Sequence, residues 1–384
     1  MADHPIHIVF AGGGTGGHLF PGLAVAERIV ADEPSTRITF VGSGKRFERE
    51  HVTAAHFDYL ATPCRPRPKR PRDTLPFLVE NLAGYLVAAR FLREEQAAAV
   101  VGLGGYASVP LARAATRYGI PLVLLEQNAL PGRATRWLAR WATSVCLAME
   151  EARAGLKCRC PVRVTGTPIR TGFTQTPVAP ADTIPLDPDT SNTQLLVLGG
   201  SSGARSLNEN VPRALYKIRS RLAGWRLVHQ SGPAGLEATQ RLYRKLGLEA
   251  DVVSFIADMP KVLRQTGLVV CRAGGTTLAE LAALGVPALL LPYPHATDDH
   301  QRRNADLLTT SGGSITLDER ELAGRFDDHL AGAISGLLAD PLGRARMSAA
   351  MRRLARPNAA TDVAHLIRSL VNDRLPLAGI RGAA

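Results

Sequence analysis

The sequence predicts an α/β protein made of two doubly wound, Rossmann-like parallel-sheet domains facing each other across a cleft. Two observations carry this. Short apolar runs of strand length alternate with helical patterns along most of the chain. The strand, Gly-rich turn and helix that open the chain then start again after a proline-rich stretch, as a second domain would. With 384 residues, each domain has enough chain to bury its own core.

Composition narrows the function. Hydrophobic residues make up 45% and charged residues 21%, which describes a folded globular chain. The formal charge of +12 points to an anionic partner: nucleic acid, an acidic membrane face or a phosphorylated substrate. Aromatic residues are only 5% and are not interleaved with Arg and Lys, so no stacking platform for bases is expected and nucleic acid is set aside. The five cysteines (Cys64, Cys146, Cys158, Cys160, Cys271) lack the spacing of a zinc site and read as free thiols in a reducing compartment. No leader precedes the first strand, and no apolar run approaches the roughly 20 residues that cross a bilayer. A cytoplasmic protein is expected.

The first strand, His7–Phe10, runs into Gly12–His18, and a helix is predicted from Gly22 to about Ala31. Gly12, Gly14 and Gly17 fit the dinucleotide fingerprint, but the second strand, Arg37–Val41, ends in Gly42-Ser43-Gly44 without the acidic residue a ribose needs. Gly12 and Gly17 also have Walker spacing, with His18 and Leu19 where Lys and Ser or Thr belong. What remains is a glycine turn at a helix start, able to hold a phosphate, with a His at its tip.

Residues 63–72, PCRPRPKRPR, set Arg65, Arg67, Lys69, Arg70 and Arg72 between prolines. A solvated extended loop is one reading. The other joins it to the helix that follows, whose apolar face is predicted from Leu75, Phe77, Leu78, Leu82, Tyr85, Leu86 and Phe91, as a surface for acidic lipids. A strand Ala99–Leu103 leads to a second turn, Gly104-Gly105-Tyr106. Strand Leu122–Leu125 ends at Glu126-Gln127-Asn128, and Val162–Gly166 runs into Thr167–Arg170. The predicted domains are 1–170, a linker 171–193, 194–356, a C-terminal helix 357–373 packing back toward the first domain, and a frayed tail 374–384.

The second domain restarts with strand Gln194–Leu198 and the turn Gly199–Arg205. Its centre is Cys271–Ala305. Strand Leu268–Cys271 ends at Gly274-Gly275, and a helix opens at Thr276–Thr277 and stops at Gly285 and Pro287. Strand Ala288–Leu291 follows, then a polar loop with Asp298, Asp299, His300, Gln301 and Asn304. Free N–H groups at the helix start suit an anion, and Glu280, one turn in, can accept from vicinal hydroxyls. Parallel strands bring the loop beside that helix start. A nucleotide-sugar site is predicted.

Seven motifs occur in a family's order: GGTGGH at Gly13–His18, LGGY at Leu103–Tyr106, EQN at Glu126–Asn128, GTPIR at Gly166–Arg170, GGSSGAR at Gly199–Arg205, CRAGGTTLAE at Cys271–Glu280 and HQRRNA at His300–Ala305. The chain resembles the MurG-type N-acetylglucosaminyltransferases of peptidoglycan synthesis, which are two-domain GT-B glycosyltransferases. The resemblance implies transfer of N-acetylglucosamine from its UDP form to the muramyl 4-hydroxyl of lipid I. The product, lipid II, carries an inverted β-1,4 linkage, and the reaction belongs to the cytoplasmic face of the plasma membrane. It further implies anionic inner-membrane lipids and other cell-wall and division proteins as partners, no nucleic acid, no cofactor and no metal.

By the same resemblance, Ser201 and Gly275, Thr276 and Thr277 would hold the donor diphosphate, Glu280 the ribose, and the backbone of Ile256 the uracil. His300 and Gln301 would read the sugar, with Asn128, Arg170, Thr15, Gly16 and Gly17 also reaching the donor. Gly13, Gly14, Gly104, Gly105 and Tyr106 would hold the acceptor diphosphate. His300 stands where some members have a second Gln, and Ser202 where many have Gln. A neutral sugar hydroxyl needs a base. His18 can be that base, or a phosphate-binding or helix-capping residue. Two other readings remain at this stage: a different UDP-sugar enzyme, such as a glycolipid glucosyltransferase or an epimerase, and a non-catalytic membrane scaffold.

Overall fold

A computed structural model describes residues 5–68, 70–174, 193–322 and 324–373. The chain divides into two compact units, Met1–Arg170 with Pro357–Ala384, and Thr171–Arg356. Most of the proline-rich stretch (175–192), Lys69 and the tail from 374 lie outside the described residues.

In the first unit the order is β1 (His7–Ala11), α1 (Gly16–Asp32), β2 (Arg37–Gly42), α2 (Arg46–Ala54), β3 (Asp58–Ala61), α3 (Thr74–Glu94), β4 (Ala99–Gly102), α4 (Val109–Arg117), β5 (Leu122–Glu126), α5 (Arg133–Leu138), β6 (Ser144–Leu147) and β7 (Val162–Val164). The sheet runs β3-β2-β1-β4-β5-β6-β7, parallel throughout. Alternate residues of a strand face opposite sides. Ile8 and Phe10 of β1 therefore pack with Leu19, Leu23 and Ile29 of α1, while Val9 and Ala11 pack with Leu111 and Ala115 of α4 and Ala88 and Leu92 of α3. Helices on both faces explain why these strands read as unbroken apolar runs.

The second unit contains β8 (Gln194–Leu198), α6 (Arg205–Lys217), β9 (Arg226–Gln230), α7 (Leu236–Lys245), β10 (Asp251–Val253), α8 (Met259–Arg264), β11 (Thr266–Cys271), α9 (Gly275–Leu284), β12 (Ala288–Leu290), α10 (His300–Thr310), β13 (Ser314–Thr316), α11 (Phe326–Ala339) and α12 (Pro341–Leu354). Its parallel sheet runs β10-β9-β8-β11-β12-β13. The last helix, α13 (Ala359–Asn372), belongs to the first unit, where Val363, Leu366, Ile367 and Val371 join the core beside α1.

Three sequence expectations need correction. Helix α1 begins at Gly16, six residues before the predicted Gly22, so His18 lies in its first turn and not at the tip of a free loop. Gly16 and Gly17 are weak helix formers, and Pro21 donates no backbone bond, so local propensity understated a helix that burial of Leu19, Leu23 and Ile29 secures. His300, Gln301 and Asn304 lie on α10 and not on a polar loop. Asp298 and Asp299, with φ of 54° and 56°, make the tight left-handed turn that starts it, a conformation Asp tolerates better than most residues.

The third correction concerns α3. With residues Pro71–Asp73 it is long and apolar enough, by length and composition alone, to cross a membrane, although Glu80 and Arg90 interrupt its apolar run. One side is packed: Ala88, Ala89 and Leu92 are buried, and a Cβ on Gly84 would lie 1.9 Å from the Pro63 carbonyl oxygen.

Candidate functional site

In an open parallel sheet, ligands bind beyond the C-terminal strand ends, where neighbouring strands send their chains to opposite faces. That point lies between β1 and β4 in the first unit and between β8 and β11 in the second. The turns after these four strands are Gly12–Thr15, Leu103–Gly105, Gly199–Ala204 and Arg272–Gly274, all from predicted motifs.

In the second unit, α9 starts after Gly274, which lies at the crevice end of β11, with no hydrogen bond from a capping side chain. Thr276 and Glu280 lie one turn apart, both buried. The turn before α9 is pinned from α10, where the buried Asn304 donates to the Ala273 carbonyl at 3.0 Å. Across the switch point, Gly203 packs against the chain after β9, since a Cβ there would lie 2.0 Å from the Ser231 carbonyl oxygen. Gln230, at the end of β9, is buried and bridges two loops. Its amide nitrogen donates to the Gly200 carbonyl and its oxygen accepts the Ile256 N–H, each at 3.0 Å. Sequence reasoning missed Gln230, whose visible mark was only a polar residue at the end of an apolar strand.

The pair expected to read the sugar is also oriented. His300 Nδ1 lies 2.8 Å from the Thr297 carbonyl oxygen, so the proton sits there and Nε2 is the acceptor of the neutral ring. Gln301 accepts the Tyr293 N–H through Oε1 at 3.0 Å, which makes its NH2 the donor end. The two neighbours thus offer one acceptor and one donor. Just beyond, Arg320 joins Asp299 to the buried Asp318, whose carboxyl its arginine partners hold well below the ordinary range.

In the first unit, His18 Nδ1 is 3.3 Å from the Thr15 hydroxyl. The imidazole lies over the other glycine turn: a Cβ on Gly104 would come within 3.1 Å of its Cδ2, and one on Gly105 within 3.7 Å of Cε1. Both glycines have positive φ, so only a residue without Cβ provides this backbone and this clearance. The two predicted acceptor turns therefore meet at His18. Tyr106 begins a short 3-10 turn directly after them. Gly14 differs from expectation, because its N–H donates to the Glu48 carboxylate and does not face outward.

Glu126 is buried and accepts from the backbone and side-chain N–H groups of Asn128 (3.1 and 3.0 Å) and from the Gly132 N–H (2.9 Å), fixing the Asn128 carboxamide. The Arg170 guanidinium stacks 4.6 Å from the Phe20 ring centre. It also draws down the carboxyl of Glu27, which burial pushes up more strongly.

On α3, Leu75, Leu78, Val79, Leu82 and Leu86 form an exposed stripe, each 57–71% accessible. Phe77, Tyr85 and Phe91, expected on that face, are half-buried instead, and Phe91 packs edge-on to His7. A helical face is narrower than the apolar set it was read from. Arg67, Arg70 and Arg72 are exposed beside it, while Arg65 pairs with Glu80 at 2.7 Å.

Glycine turns at both switch points, a buried carboxylate one turn into a helix and an oriented imidazole–amide pair mark a nucleotide-sugar transferase of the GT-B class. Residues 8–147 match the glycosyltransferase family 28 N-terminal domain, and residues 194–365 the family 28 C-terminal domain. A relative from Geobacter sulfurreducens, the "UDP-N-acetylglucosamine--N-acetylmuramyl-(pentapeptide) pyrophosphoryl-undecaprenol N-acetylglucosamine transferase", is 39% identical over 357 residues, covering 93% of this chain and 96% of its own. The crystal structure of Acinetobacter baumannii MurG superposes with a TM-score of 0.71 at 29% identity, covering 95% of this chain and all of that one. A putative UDP-N-acetylglucosamine 2-epimerase from Listeria monocytogenes shares the fold alone, with a TM-score of 0.67, 16% identity and coverage of 97% and 98%. The chain belongs to glycosyltransferase family 28, and within it to the MurG family.

Proposed function

We propose that this chain transfers N-acetylglucosamine from UDP-N-acetylglucosamine to the 4-hydroxyl of the muramyl sugar of lipid I, releasing UDP and forming lipid II. The observation that carries the reading is the placing of all four glycine turns at the two switch points, one pair in each unit. The second unit holds the donor. Its diphosphate lies at the start of α9 and near Ser201, the ribose hydroxyls on Glu280, and the uracil against the Ile256 backbone. Because the Ile256 N–H is already donated to Gln230, the carbonyl of Ile256 is the group left for the base. His300 Nε2 accepts from one sugar hydroxyl and the Gln301 NH2 donates to another.

The first unit holds the acceptor diphosphate at Gly13, Gly104, Gly105 and the N–H groups of α1. In the transfer, the acceptor O4 attacks the anomeric carbon from the face opposite UDP. The new C–O bond forms as the bond to the β-phosphate oxygen breaks, and UDP leaves with the electron pair. His18 takes the O4 proton. Asn128 and Arg170 also reach the donor from the first unit, with Arg170 and the α9 N-terminus offsetting charge on the departing diphosphate. Thr15, Gly16 and Gly17 touch the transferred sugar.

The α3 stripe with Arg67, Arg70 and Arg72 docks on anionic lipid, which brings the first unit to an acceptor whose polyprenyl tail stays in the bilayer. Localisation at the inner face of the plasma membrane follows from that docking.

The deciding experiment incubates the protein with UDP-N-acetylglucosamine labelled in the sugar and a short-chain lipid I, then hydrolyses the product to locate the bond. Label on the muramyl O4 is expected. Turnover of the nucleotide sugar without acceptor, giving the 2-epimer, or no UDP release with any lipid acceptor, would overturn the reading.

A further inference from the structure

Beneath the first glycine turn lies a carboxylate that the transfer chemistry does not use. Glu48, on α2, is completely buried. Its two oxygens accept from the Gly14 N–H (2.5 Å), the Ser43 N–H (2.8 Å), the Ser43 hydroxyl (2.7 Å) and the Tyr59 hydroxyl (2.5 Å). Tyr59 in turn accepts the Gly44 N–H at 2.8 Å, and Lys45 Nζ donates to the Gly14 carbonyl at 3.2 Å. There is no spare room: a Cβ would lie 2.9 Å from a Glu48 oxygen at Gly13 and 2.4 Å from one at Gly42. The Tyr59 hydroxyl is held protonated, its pKa raised by burial and then by the bond to Glu48. The turn after β1 is therefore tied on its inner side to the turn after β2 and to β3.

A glycine turn at a helix start ordinarily aims its N–H groups at a phosphate. Here one is already spent on an internal anion. We propose that Glu48 is a positioning residue for the acceptor: by filling the inner side of the turn with its own negative charge, it bars a ligand phosphate from that side. The acceptor diphosphate is left to the outer side of the turn, next to His18. The Lys45 ammonium, held at the Gly14 carbonyl, offsets part of the charge that Glu48 places under the turn. This inference rests on the acceptor reading above.

The test compares Glu48→Gln with the parent in two ways. Amide hydrogen exchange over Gly12–His18, without substrate, reads the tether. Steady-state kinetics with soluble short-chain lipid I, together with UDP calorimetry, reads its use. A carboxamide keeps the volume but cannot accept from both sides. Exchange should quicken, and kcat/KM for the acceptor should fall roughly tenfold or more. UDP affinity, set chiefly by the second unit, should be unchanged.

Unaltered exchange, or unaltered acceptor kinetics, overturns the proposal; so does an equal loss for both substrates, which is what general destabilisation would give. If Glu48→Gln does not fold, Tyr59→Phe and Ser43→Ala each remove a single hydroxyl donor. Both should show smaller losses of the same kind, and absence of any loss is again fatal. If the parent itself transfers no sugar, the acceptor role fails with the function, and exchange alone decides whether the tether exists.

Discussion

Asn304 donates its side-chain N–H to the carbonyl of Ala273 at 3.0 Å, from the first turns of α10 to the turn that opens α9. The residues expected to read the sugar and the backbone expected to bind phosphate are thereby fixed to each other. Asn304→Ala leaves a buried carbonyl without this partner, at a cost of about 1–3 kcal/mol. Thermal unfolding should report the cost, and UDP calorimetry should report weaker donor binding. Full stability with full affinity would show that the bond positions nothing.

Glu280→Ala removes the carboxylate proposed to accept from the ribose hydroxyls. The donor should bind about 1.5–3 kcal/mol more weakly, roughly tenfold to more than a hundredfold. Calorimetry with UDP is the measurement, and an unchanged affinity removes Glu280 from the site.

His18→Ala should lower kcat by about 100- to 10,000-fold, with little change in either apparent binding constant, if the imidazole takes the O4 proton. A raised acceptor KM at near-normal kcat would instead make it a diphosphate ligand. Near-normal values of both would leave His18 with neither role.

His229 is buried between Tyr243 (3.1 Å) and Asn208 (3.0 Å), and burial pushes its pKa down to about 3. The unfolded chain takes up this proton near pH 6.5 and the folded chain does not. Stability is therefore complete above that pH and declines as the pH falls from about 6.5 toward 3, by up to about 1.4 kcal/mol per pH unit. His7, lowered chiefly by burial, adds the same sign in the first unit. Urea unfolding at several pH values should show a shallower slope in His229→Gln than in the parent. An identical slope would mean that His229 does not carry the effect.

Neutralising Arg65, Arg67, Lys69, Arg70 and Arg72 together should weaken binding to phosphatidylglycerol or cardiolipin vesicles, most at low salt, at about 1 kcal/mol per charge. Arg65 should contribute least, because Glu80 already pairs with it. Leu78→Asp with Leu82→Asp should remove the part that salt does not touch. Both variants should keep turnover with a soluble acceptor. Co-sedimentation equal to the parent at both salt levels would place docking elsewhere.

The sequence showed the switch-point strands because both faces of β1, β4, β8 and β11 are covered, and such strands read as continuous apolar runs. Edge strands β3 and β13 escaped notice. They hold four and three residues, carry polar side chains and lean on one neighbour. The motifs expected to face ligands were visible as local patterns. The residues that hold them were not: Gln230 acts on Gly200 and Ile256 from 30 and 26 positions away, and Glu48 acts on Gly14 from 34. No local spacing encodes such a bond. The α3 stripe fell between these cases, its composition being legible and the turning inward of Phe77, Tyr85 and Phe91 not.

Because α13 closes the core beside α1, the polypeptide leaves the first unit at Arg170 and re-enters it at Pro357. During synthesis the whole second unit emerges before the helix that finishes the first. The early-made sheet must wait on the ribosome with Leu19, Leu23 and Ile29 lacking their last neighbours, while the later-made sheet has all its own strands and can close at once. A stop codon between Pro357 and Ala359 would therefore leave the second unit whole and strip the first of its closing helix. A graft of residues 171–356 into a related chain respects the seams that a simple cut at the middle would tear.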